Sequence, residues 1–175
     1  MPSTQYDVEL IVQEMNPICW IASCAMAKGY STGSSVGVGE FTNGLDPSTS
    51  CIANLANSWS ECTDLMMQWG FQVYDVAGFA SGNMTADALL TGIGQGPIVL
   101  LHLCPGFPYG SQYGKLSFTK NDAHAVVLTG VNTDAGAASF NNPWGDKDQS
   151  CDLDVLVNKI NADQAVGKTL AYYSG

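Results

Sequence analysis

Gln13 stands six residues before Cys19, and Trp20 follows the cysteine directly. Cys19 opens an apolar, helix-favouring run, Trp20-Ile21-Ala22-Ser23-Cys24-Ala25-Met26-Ala27. A hundred residues later His124 opens a second apolar run, Ala125-Val126-Val127-Leu128, and Asn141-Asn142-Pro143-Trp144-Gly145 comes after it. Amide, thiol, imidazole and amide, in that order, are the parts of a cysteine nucleophile site. A cysteine at a helix N-terminus feels the positive end of the helix dipole, which favours its thiolate. A neighbouring imidazolium would favour it further, so the spacing predicts a thiol pKa well below the ~8.5 of a free cysteine.

The order and local context resemble the papain-like cysteine peptidases, and in particular compact bacterial members that act as effectors, toxins or bacteriocin-processing domains. Gln13 and Cys19 match the family's amide-to-thiol spacing, Trp20 its following tryptophan, His124 its strand-opening histidine, and Asn142-Pro143-Trp144-Gly145 its Asn-x-Trp-Gly motif. The resemblance implies a Cys19–His124–Asn142 triad. Cys19 is the nucleophile, and His124 takes the thiol proton and later returns it to the leaving amine. Asn142 orients the ring by accepting from its other N–H. Gln13 donates to the developing oxyanion beside the Cys19 N–H. Trp144 shields the His–Asn bond, and Trp20 belongs to the cleft. A protein or peptide substrate is implied, with a dedicated inhibitor or immunity protein as a further partner. An amidase, deamidase or transglutaminase uses the same thiol and imidazole, and an idle binding module keeps the fold; these are the alternatives.

Neighbouring candidates read as structural. Cys24 lies five residues past Cys19, about 500° around a helix, and faces elsewhere. Asn141 points to the opposite face of a strand from Asn142. His102, inside an apolar strand, reads as a core histidine, and Asp122 and Asp146 lack the spacing of an orienting residue. The six cysteines form no Cys-x-x-Cys pair and the two histidines lie far apart, so neither a metal site nor a cofactor is expected.

The elements that must carry these groups follow from periodicity. Residues 18–28 read as a helix with Pro17 in its first turn and Gly29 at its end, followed by a loop to residue 50. A second helix is expected over 51–69, a strand over 71–77 and a short helix capped by Thr85. Apolar strands are expected over 97–104, 124–131 and 137–142, a helix over 152–161 and a strand over 169–173. Helices first and sheet afterwards give an α+β fold, with a helical part carrying the nucleophile packed on an antiparallel sheet carrying His124 and Asn142. Residues 1–175 are expected to form a single domain.

The 46% hydrophobic content supports a packed core, and the net charge of −10 disfavours a nucleic-acid surface. No window is apolar for the ~18 residues of a membrane span. The first ten residues lack the basic and apolar regions of a signal peptide. The expected location is the producer's cytoplasm, or another cell reached without a cleaved leader.

Overall fold

The computed structural model describes residues 3–13, 18–43, 59–75, 84–103, 123–162 and 169–175. Five helices are described: α1 (Cys19–Thr32), α2 (Gly39–Thr42), α3 (Trp59–Gln68), α4 (Ala86–Ile93) and α5 (Leu153–Ala162). Seven strands are described: β1 (Ser3–Gln5), β2 (Phe71–Asp75), β3 (Ile98–Leu103), β4 (Ala123–Asn132), β5 (Ala137–Asn142), β6 (Asp146–Asp152) and β7 (Thr169–Tyr173). The strands form one antiparallel sheet in the order β2-β7-β3-β4-β5-β6, with β1 added to β4. This is the α+β architecture expected from the sequence.

Both faces of the central strands are covered, which is why β3 and β4 read as unbroken apolar runs. Val99 and Leu101 of β3, with Ala125 of β4 and Ala171 of β7, pack with α1 and α3. Their strand neighbours Ile98, Leu100, Val126 and Leu170 pack with Leu89 and Ile93 of α4 and with Leu153, Leu156 and Ile160 of α5. Each buried Val, Leu or Ile among them contributes about 1.5–3 kcal/mol.

α1 is the central helix. Every residue from Cys19 to Ala27 is buried, the mark of an element enclosed on all sides. Alanines 22, 25 and 27 and Ser23 keep it slim against β3, β4 and β7. It runs past Gly29, the expected stop, to Thr32, and ends at Gly33, which caps it at φ 63°; Gly29 serves close packing instead, since a Cβ there would lie 2.8 Å from the Ser34 carbonyl oxygen. The expected cap at Thr85 is present, its hydroxyl accepting from the Ala88 N–H at 3.1 Å. The assignments at Pro17 and over 51–58 lie outside the described residues, as do Cys51, Cys104 and Asp122.

Two strands and a short helix were not expected. β1 is three polar residues paired with β4, and β6 reads Asp-Lys-Asp-Gln-Ser-Cys-Asp. α2 lies inside the stretch read as loop, with Phe41 buried against Trp69.

Candidate active site

Cys19 is the first residue of α1. The main-chain N–H groups of Ala125, Trp20 and Cys19 itself favour its anion. Two of these are the unpaired donors every helix start offers. The third belongs to β4, one residue past His124, and so brings the thiol to the strand that carries the imidazole. No acidic residue lies in the first turn of α1 to offset the dipole.

His124 and Asn142 meet across the β4–β5 hairpin. His124 Nε2 lies 3.0 Å from Asn142 Oδ1, and both residues are buried. The same oxygen accepts the Trp144 main-chain N–H at 3.1 Å. A main-chain N–H is always a donor, so it is the amide oxygen, not the NH2, that faces the ring. Nε2 must therefore carry the proton, leaving Nδ1 as the basic nitrogen of the neutral ring. The turn is closed by the Gly145 N–H on the Asn142 carbonyl at 3.0 Å. Gly145 holds φ 117°, a conformation that suits glycine alone. The Trp144 ring lies beside His124, with centroids 6.2 Å apart.

Gln13 is buried, and its N–H donates to the Pro143 carbonyl at 2.8 Å. The residue expected to face the oxyanion is thus anchored to the turn that carries Asn142 and Trp144. Asn141 takes the opposite face from Asn142, as strand alternation requires, and bonds to the Val8 carbonyl.

One expectation is corrected. Trp20 does not line a cleft: it is fully buried and stacks on Trp69 at 5.2 Å and 13°, inside the core beneath α1. Cys24 and Cys62 are buried thiols in the same core, and Cys151 is a partly buried thiol. His102 pairs in register with His124, though its side chain lies outside the described residues. No group of His, Cys, Asp or Glu suited to a metal occurs among the described residues. The Ala125 N–H had no signal in the sequence, because any residue there supplies it.

The profile of a family described as papain-like cysteine protease AvrRpt2 matches residues 2–161. The chain belongs to that papain-like family. It is therefore a cysteine peptidase. Among solved structures, a Bacillus anthracis protein described as a C39-like peptidase superposes with a TM-score of 0.58 at 15% identity, covering 99% of this chain and 98% of that one. At that identity the likeness concerns the fold. No curated protein matches the chain.

Electrostatics at the papain-like site differ from the sequence expectation. Burial pushes the Cys19 thiol up to about 11, outweighing the three N–H groups that favour its anion. Burial likewise holds the His124 imidazole down, to about 4, against the opposing effect of the Asn142 bond. Cys19 is 3% exposed and His124 5%, so neither charge would meet water. Burial thus pushes each group toward its neutral form, where helix dipole and spacing had suggested an ion pair. No helix among the described residues is long and apolar enough to cross a membrane.

Proposed function

We propose that this chain is an endopeptidase that cleaves a protein substrate through Cys19, His124 and Asn142, with Gln13 as side-chain oxyanion donor. As substrate enters, the Cys19 sulfur bonds to the scissile carbonyl carbon and the thiol proton passes to His124 Nδ1. The carbonyl oxygen takes up the charge, facing the Gln13 amide and the Cys19 N–H. The C–N bond then breaks, and His124 gives its proton to the departing amine. Water, deprotonated by His124, hydrolyses the thioester, and the proton returns to sulfur. Asn142 keeps Nε2 protonated throughout, so the basic nitrogen stays Nδ1.

The single observation that carries this reading is the Asn142 oxygen shared between His124 Nε2 and the Trp144 N–H. It selects the tautomer that can accept a thiol proton. Starting from a neutral pair, His124 acts as a general base during attack instead of waiting beside a preformed thiolate. Trp144 serves as the shield of that bond. In biological terms we read the protein as an effector or toxin delivered into another cell, restrained in its producer by a dedicated inhibitor or immunity protein.

The test is a comparison of protein termini in a proteome treated with wild type or with Cys19→Ala. New N-termini that share a sequence preference are expected with wild type alone. Identical termini in both samples would overturn the endopeptidase reading, and deamidated glutamines in place of new termini would favour the deamidase alternative.

A further inference from the structure

We infer that Asn141 is a positioning residue for Gln13, acting through the N-terminal strap; the inference rests on the oxyanion role proposed for Gln13. Asn141 is fully buried. Its Nδ2 donates to the Val8 carbonyl at 2.9 Å, and its Oδ1 accepts the Asp148 N–H at 2.9 Å. One side chain thus joins the strap to the β5–β6 hairpin.

Both partners are places where the backbone needs holding. Pairing of β5 with β6 steps from Phe140↔Gln149 to Asn142↔Asp146, so two residues of β6, Lys147 and Asp148, stand opposite Asn141 alone. This is a β-bulge beside the active-site turn, the kind of irregularity that re-aims side chains. Asp148 sits at φ 54°, the only non-glycine described residue in the left-handed region, and its N–H is the one Asn141 holds. A strained residue persists where its surroundings over-determine it.

The strap itself is a guided path. β1 pairs with the far end of β4, and the Tyr6 N–H donates to the Thr129 carbonyl at 2.8 Å. The Tyr6 hydroxyl donates to the Ile93 carbonyl at 2.6 Å. Val8 packs between Met26 of α1 and Val127 of β4, and there Asn141 holds its carbonyl. Five residues on, the strap ends at Gln13, tied to Pro143. Asn141 and Pro143 flank Asn142, so the strap is fastened on both sides of the residue that orients His124. The two adjacent asparagines divide the work: Asn142 sets the ring, and Asn141 sets the amide that faces the oxyanion.

A peptide aldehyde separates these roles. Its carbonyl carbon takes the Cys19 sulfur and its oxygen takes the thiol proton, giving a hemithioacetal whose oxygen lies where the oxyanion forms. Alkylation of Cys19 by iodoacetamide forms no such oxygen and reads only thiol and imidazole. Asn141→Ala should weaken aldehyde binding on the order of 10-fold to 10²-fold, the cost of misplacing a distant positioning group, with the Cys19 alkylation rate and its pH profile unchanged. Added to Gln13→Ala it should cause no further loss, because both changes act on one interaction. Where Asn141→Ala fails to fold, Asn141→Asp retains the shape and the acceptor for Asp148 and removes the donor to Val8; it should show the same loss. Undiminished aldehyde binding in a folded Asn141 variant, or a loss that adds in full to that of Gln13→Ala, overturns the inference while leaving Gln13 its role. Undiminished binding in Gln13→Ala overturns both.

Discussion

The central helix and the β5–β6 hairpin deliver their active-site residues by opposite means. α1 is held by apolar contact on every side: Trp20 against Trp69, Cys24 and Ala25 in the same cluster, Met26 under Val8. The hairpin is held by polar bonds: Asn142 to His124 and Trp144, Asn141 to Val8 and Asp148, Gln13 to Pro143. Packing is insensitive to small chemical change and sensitive to volume. A buried hydrogen bond is the reverse, since an orphaned partner keeps its full desolvation cost. The proposed nucleophile, Cys19, is therefore placed by volume and the proposed base, His124, by hydrogen bonds, and mutations in the two regions should fail differently.

The largest effect should come from Cys19→Ala, which removes the nucleophile and little volume. Hydrolysis of peptide substrate should vanish while the thermal midpoint is retained. His124→Ala should be nearly as severe, and the double variant no worse, because the members of such a unit act together. Full turnover by Cys19→Ala would dissolve the comparison at its centre.

Next is Trp20→Ala, which should destabilise the fold by about 3–5 kcal/mol, the usual cost of emptying a large aromatic site. Urea unfolding measures it. Asn142→Ala should lower kcat more than it lowers stability. If Trp20→Ala instead spares stability and weakens substrate binding, Trp20 is a cleft residue after all and α1 is not held by packing.

A third difference lies in pH. Burial lowers the His124 pKa to about 4 from an ordinary 6.5. Between those values the unfolded chain binds the proton and the folded one does not, so stability falls as pH drops from 6.5 toward 4. Cys19 has the opposite sign: with its folded value raised to about 11 from 9.0, its contribution is full below 9 and is lost as pH rises toward 11. Urea midpoints across pH, in wild type and in His124→Gln, should differ on the acid side. Parallel acid limbs would mean that His124 is not buried as a neutral ring.

The smallest effect should be that of Cys24→Ala. Cys24 lies five residues further along the same helix, buried in the same core cluster as Cys19. A stability loss of about 1 kcal/mol, typical of a single substitution, with unchanged kcat would sharpen the contrast between the two thiols. Loss of turnover without unfolding would exchange their roles.

The reading of the sequence succeeded where a residue's neighbours in the chain decide its fate. β3 and β4 stand out because both faces of the sheet are covered. Adjacent strand residues face opposite ways, and the resemblance to Asn-x-Trp-Gly pointed to Asn142, whose oxygen lies 3.0 Å from His124 Nε2. It failed where distant parts decide. Nothing in Ser3-Thr4-Gln5 signals a strand until β4 offers an edge, and β6 is polar because it borders the sheet. Trp20 looked like a cleft residue because its partner Trp69 is far away in sequence. The raised Cys19 pKa and lowered His124 pKa follow from enclosure, which local sequence does not encode.

The most direct test of the central claim, that Cys19 is the nucleophile served by an Asn142-oriented His124, is labelling with a peptidyl epoxide followed by mass mapping of the adduct. Ring opening joins the Cys19 sulfur to an epoxide carbon, and the thiol proton, taken up by His124 Nδ1, goes to the released oxygen. The account predicts a single adduct, on Cys19, formed much more slowly in His124→Ala and somewhat more slowly in Asn142→Ala. An adduct on Cys24, Cys62 or Cys151, or a rate on Cys19 indifferent to His124, would contradict it.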